Sequence, residues 1–92
     1  KQLIELVCEN PCKIFGIKNK GYIKEGYDAD LTIVNMKKET ILKNDWIQSK
    51  CGWTPFNNYK IKGLPVATIV NGEIIMANNK ILSRALGKPL TF

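Results

Sequence analysis

Val66-Ala67-Thr68-Ile69-Val70-Asn71-Gly72-Glu73-Ile74-Ile75-Met76 holds the strongest local signal in the chain. Two runs rich in β-branched and apolar residues flank Asn-Gly, the pair that tolerates the positive φ angles of a two-residue type I′ turn. The stretch predicts a β-hairpin. Downstream, Ala77-Asn78-Asn79-Lys80 reads as another turn, leading to Ile81-Leu82 and a tail of residues 83–92 with Gly87 and Pro89. Upstream, Leu31-Thr32-Ile33-Val34-Asn35 suits a buried strand, and Met36-Lys37-Lys38 is expected to turn the chain into a second strand, Glu39-Thr40-Ile41-Leu42. The chain is mainly β.

Helical signals are short. Asn44-Asp45 is suited to cap a brief helix over Trp46-Ile47-Gln48-Ser49. Leu3, Ile4, Leu6 and Val7 lie near one side of an N-terminal helix, which Glu9-Asn10-Pro11 is expected to interrupt. Asn10 then caps a second short helix through Cys12-Lys13-Ile14-Phe15, with Pro11 in its first turn and Gly16 as a left-handed C-cap. Residues 18–28 carry glycines five apart and read as a loop, a brief strand and a turn. Residues 52–59 mix turn formers with aromatics and read as an ordered loop. No internal repeat, low-complexity tract or linker divides the chain.

At 92 residues there is room for one domain at most, and a chain of this size buries only about 60–65% of the surface its unfolded form exposes. It opens on Lys1 and enters at once on the apolar pattern Leu3-Ile4-Glu5-Leu6-Val7, as if cut from something longer. No apolar run approaches the roughly 20 residues of a membrane span, and no signal-peptide succession stands at the start. Cys8, Cys12 and Cys51 are odd in number and lack C-x-x-C spacing, which argues against a disulfide framework or a zinc knuckle. A soluble, cytoplasmic protein with reduced thiols is expected.

The net charge of +6 raises nucleic acid or an anionic surface as partners. The lysines are scattered, however, and Arg84 is the single arginine, so a lysine-rich compositional habit explains the charge more economically. With no histidine, the commonest general base and transition-metal ligand are missing together. Ser49 and Ser83 lie in no G-x-S-x-G setting, and no glycine cluster forms a phosphate loop. Asp28 and Asp30, two apart, are suited to share a hard cation, yet the further oxygens such an ion needs do not follow; capping a turn and a strand start is the alternative. Cys8 and Cys12 stand four apart, but Pro11 is expected to break the face they would share. Trp53, Phe56 and Tyr59 beside Lys60 and Lys62 form either a base-stacking platform or a packing cluster. No catalytic, cofactor-binding or metal-ligating residue is assigned.

Asn10-Pro11-Cys12-Lys13-Ile14-Phe15-Gly16, followed by Gly21-Tyr22-Ile23-Lys24-Glu25-Gly26-Tyr27-Asp28-Ala29-Asp30-Leu31-Thr32-Ile33-Val34, resembles a signature near the C-terminus of amidohydrolase-superfamily enzymes, N-P-A-K-x-F-G then G-x-I-x-x-G-x-D-A-D-L-x-I/V. Lys50-Cys51-Gly52-Trp53-Thr54-Pro55-Phe56, with Gly63-Leu64-Pro65-Val66-Ala67-Thr68-Ile69-Val70-Asn71-Gly72, is similar to the dihydroorotase pattern K-x-x-W-[ST]-P-F then G-x-P-x-x-T-x-V-x-G. Allantoinases and hydantoinases end in similar strings. Cys12 replaces the usual Ala, and Asn57-Asn58 the common Glu-Gly.

The resemblance implies a placement. In such enzymes a (β/α)8 barrel holds the metal centre, and a smaller composite β-sandwich is assembled from both chain ends. Residues 1–17 then correspond to the last barrel helix and its exit turn, and residues 18–92 to the C-terminal half of the sandwich. The family's His-x-His pair, bridging Lys, further His residues and catalytic Asp lie on earlier barrel strands, and none maps here. Zinc therefore belongs to the parent enzyme, which interconverts N-carbamoyl-aspartate and dihydroorotate in pyrimidine synthesis. The implied partner is the remainder of that parent, the barrel domain, with self-association as a second expectation and no membrane. A free-standing basic β module that binds nucleic acid or protein is the alternative from another class.

Overall fold

The computed structural model describes residues 1–83 and 87–92. Four strands, β1 (Leu31–Ile41), β2 (Lys60–Val70), β3 (Glu73–Ala77) and β4 (Lys80–Ile81), form one antiparallel sheet in the order β1-β2-β3-β4. Mainly β with short helices is the class observed. The tail expected over residues 83–92 includes 84–86, which lie outside the described residues.

The Asn-Gly hairpin forms as its chemistry dictates. Val70 pairs with Glu73, and Asn71 and Gly72 take φ of 49° and 80°, the two positive values of a type I′ turn. A β-bulge follows, because Ile69 pairs with Ile74 while Thr68 pairs with Met76. The next turn repeats the device, with Asn78 and Asn79 at φ 51° and 63° between the paired Ala77 and Lys80. A Cβ on Gly72 would meet nothing within 4 Å, so a side chain there costs only backbone strain. Gly72→Val should lower stability by about 1–2 kcal/mol, read as a lower thermal midpoint; an unchanged midpoint would contradict the turn assignment.

The two upstream strands prove to be one. Lys37 and Lys38 do not turn the chain; β1 runs through them, with Asn35 opposite Leu64 and Glu39 opposite Lys62. The surplus residues form a bulge, in which the Asn35 side chain accepts the Lys37 N–H at 3.0 Å. Facing it, Gly63 adopts φ +90°. The partner strand likewise begins at Lys60 rather than Val66. Pro65 is accommodated because the pairing of β2 with β3 extends only from Ala67 to Val70, which leaves Pro65 on a stretch with one sheet neighbour.

Several local expectations need correction, among them the cap at Asn10, which is itself the first residue of the second α-helical stretch and makes no side-chain capping bond. Glu9-Asn10-Pro11 does not interrupt the N-terminal helix: Gln2–Ile4 is α-helical, Glu5–Glu9 is a π-helical turn, and Asn10–Phe15 is α-helical again. The π turn lets Asn10 N–H bond the Glu5 carbonyl five residues back, a widening that relieves the clash a proline makes with the preceding turn. Gly16 closes the segment in the left-handed conformation, as expected. Asn44 caps nothing; the helix there is a single 3-10 turn, Asn44–Trp46, and the Asn44 side chain instead accepts the Thr54 N–H at 3.0 Å. The brief strand expected within 18–28 is absent, replaced by bends and turns.

Residues 52–59 are ordered as expected, by backbone bonds with Leu42 and by Asn57, whose side chain accepts the Asn44 N–H. The core is minimal. Leu64, at 3% exposure, is the one buried residue among those described. The helix stands off the sheet entirely, with no strand in contact.

Candidate functional site

The helix presents the wrong side to its own chain. Leu3, Leu6, Val7, Ile14 and Phe15 are exposed, while Cys8 and Cys12 are half-covered by the loop that follows. The contact point is Gly21, at φ +91°, where an added Cβ would stand 2.8 Å from Cys12 Sγ and 2.9 Å from the Cys8 carbonyl. The expectation that Pro11 separates the faces of Cys8 and Cys12 therefore fails. The continuous helical backbone brings both residues against Gly21.

Across the sheet, Trp46, Gln48, Thr68, Ile75, Met76, Asn79 and Ile81 line an open recess of about 290 Å3. Trp46 closes one side by donating its indole N–H to the Asn79 side chain at 3.4 Å. Trp53, Phe56 and Tyr59 are all exposed. Phe56 and Tyr59 meet edge to face at 5.7 Å, so part of each ring is occupied by the other. Lys60 lies 3.5 Å from Glu39, an exposed pair worth little.

The acid pair binds a lysine and the backbone. Lys20 Nζ lies 3.1 Å from Asp28 and also pairs with Asp30 Oδ2. Asp30 Oδ1 accepts the Asn71 N–H at 2.8 Å, so the carboxylate caps the hairpin turn, and Gly72 N–H bonds the Ala29 carbonyl at 3.0 Å. The Lys20 ammonium, then the Asn71 N–H, hold the Asp30 carboxyl below the usual carboxylate range. The same bond to Asp30, with that to Asp28, raises Lys20. The geometry supports the capping alternative for Asp30, whereas Asp28 pairs with Lys20. From the sequence alone Lys20 has no assigned partner and Gly21 no assigned contact with the helix; two acids eight and ten positions beyond the lysine are the available signal.

Cys51 is exposed, and the Ser49 hydroxyl 3.2 Å away draws its thiol below the ordinary value. Among the described residues, no three His, Cys, Asp or Glu side chains gather to hold a metal ion. The residues present do not fit the zinc centre that the resemblance implies for a parent enzyme, and no step through a metal is placed on them. Among them too, no helix is long and apolar enough to cross a membrane.

The shape agrees with an uncovered surface. The radius of gyration is 15.0 Å, against roughly 12 Å for a compact domain of this length. The chain exposes 7661 Å2, where a self-contained fold of its mass exposes roughly 5,400 Å2. Residues 1–75 match the amidohydrolase family.

The chain belongs to the amidohydrolase family. It is 42% identical over 88 residues to the dihydroorotase of Pyrococcus furiosus, covering 96% of this chain and 21% of that protein. The dihydroorotase of Methanosphaera stadtmanae is 42% identical over 81 residues, covering 88% of this chain and 19% of that protein. Among solved structures, the L-hydantoinase from Arthrobacter aurescens superposes with a TM-score of 0.89 at 32% identity, covering 98% of this chain and 20% of its own. The chain spans about a fifth of the length of the relatives it matches.

Proposed function

We propose that this amidohydrolase-family chain is the non-catalytic C-terminal part of a dihydroorotase-like enzyme. The observation that carries the proposal is the 42% identity to a dihydroorotase along 96% of the chain, matched to only 21% of that relative. On this reading residues 1–17 are the last helix of a barrel and its exit. Residues 18–92 form the C-terminal half of a sandwich completed by strands from elsewhere in the parent. The exposed stripe Leu3, Leu6, Val7 then docks on the barrel, and the recess beside Trp46 is covered. The hydantoinase reading is kept as a second one because of the 0.89 TM-score.

Bound in the parent's barrel, zinc would activate a water or polarise an amide carbonyl. The residues of this chain take no part in proton transfer; they pack, and hold the barrel's last helix in place. The test is reconstitution. Combined with the remaining part of the Pyrococcus furiosus relative, the chain should restore zinc-dependent ring opening of dihydroorotate and not of hydantoin. Alone, it should neither hold stoichiometric zinc nor turn over either ring. One tightly held zinc per chain in metal analysis, or turnover by the chain alone, would overturn the proposal.

A further inference from the structure

We infer that the adjacent residues Lys20 and Gly21 form a pin that fixes the helical segment to the sheet. The helix touches no strand, so its placement depends on the loop between residue 17 and β1. Within that loop, Gly21 is seated against Cys8 and Cys12 so closely that a Cβ would stand 2.8 Å from the Cys12 sulfur. The residue before it reaches the other way. Lys20 bridges Asp28 and Asp30, at the threshold of β1, and Asp30 in turn holds the Asn71 N–H of the hairpin tip. One dipeptide is therefore tied on one side to the helix and on the other to both β1 and the β2-β3 turn.

Lys20 differs from an ordinary surface lysine. Its side chain is 22% exposed and makes two carboxylate contacts, whereas Lys60, in its pair with Glu39, is 72% exposed. Charge-assisted bonds from a half-covered ammonium to two carboxylates are stronger than exposed pairs. Asp28 N–H also bonds the Asn19 carbonyl at 2.9 Å, closing the loop at its base. A second tie, Lys18 N–H to the Thr91 carbonyl at 2.8 Å, attaches the tail to the same loop but not to the sheet. Resting on the proposed function, the consequence is that this pin sets the angle between the part of the chain that packs on the barrel and the part that completes the sandwich.

The pin is tested on the chain itself by hydrogen exchange with mass spectrometric readout at submicromolar concentration. In Lys20→Met, the hydrogen-bonded amides of Tyr27, Asp28, Asn71 and Gly72 should exchange about tenfold faster or more, while Thr68 and Ile69 in the β2-β3 ladder keep their protection. Asp30→Asn should reproduce the pattern, and Lys20→Arg should restore it. Unchanged exchange at Asn71 and Gly72 in both Lys20→Met and Asp30→Asn would overturn the inference. So would loss of protection throughout the sheet, since Lys20 would then support the fold rather than join two parts of it. None of these readouts involves the parent's activity, so failure of the pin and failure of the proposed function are told apart.

Discussion

At micromolar concentration the isolated chain is expected to scatter light as a concentration-dependent oligomer. Its surface of 7661 Å2 exceeds that of a compact fold of its mass by roughly 2,300 Å2. An excess of that size on one side of a contact is the scale of obligate interfaces. The β1 edge contributes less than its 11 residues suggest. Lys37, Lys38 and the register shifts between Ile33 and Val34 and between Asn35 and Glu39 blunt the rest of it, leaving Leu31, Thr32 and Ile33 as the regular stretch open to another strand. The helix stripe is larger and wholly apolar, so Leu6→Glu with Val7→Glu should shift the equilibrium toward monomer more than a charge placed on β1. Adding the remaining part of the dihydroorotase relative should dissolve the oligomer. A sharply monomeric species with flat concentration dependence would count against the missing-partner reading and favour a free-standing module.

Much of the sheet was legible because its signals are local. Asn71-Gly72 and Asn78-Asn79 impose positive φ through their own backbone chemistry, and both turns form where the residues predict them. Gly16 ended its helix for the same reason. What failed was decided by partners distant in sequence. Lys37 and Lys38 look like a turn, yet a bulge opposite Gly63 absorbs them, because β2 extends far enough back to pair with both halves of β1. Pro11 looks like a helix breaker, yet a π turn spreads its strain across the preceding residues. At the candidate site, the absence of histidine was plain from composition, and the capping role of Asp30 followed from the habits of aspartate. The part played by Lys20 was not legible, since it depends on a hairpin tip some fifty residues away, at Asn71, meeting Asp30. The exposed helix stripe illustrates the limit best. Its pattern announces burial, and among the described residues the surface that would bury it is not found.

Leu64→Ala is expected to be the most damaging single substitution within the sheet. Leu64 is the one buried residue among those described, sits opposite Asn35 where the β1 bulge begins, and lines a partly open recess of about 130 Å3 with Thr40, Ile41, Leu42 and Trp46. Truncating it removes the transfer free energy of its methyl groups and leaves a gap beneath Trp46 beside that recess. Buried leucines truncated to alanine lose about 2–5 kcal/mol. A self-contained domain of this length has only roughly 5–14 kcal/mol of stability in all, and with so little else buried this chain should lie at the low end. The change therefore consumes most of what holds β1 to β2. Urea unfolding followed by tryptophan fluorescence should show the Leu64→Ala midpoint displaced far toward zero denaturant. Leu64→Met, which nearly conserves volume, should cost less than about 1.5 kcal/mol. Equal midpoints for Leu64→Ala and the parent chain would mean that the packing under Trp46 contributes nothing, and that the sheet is held by its backbone ladder and turns alone.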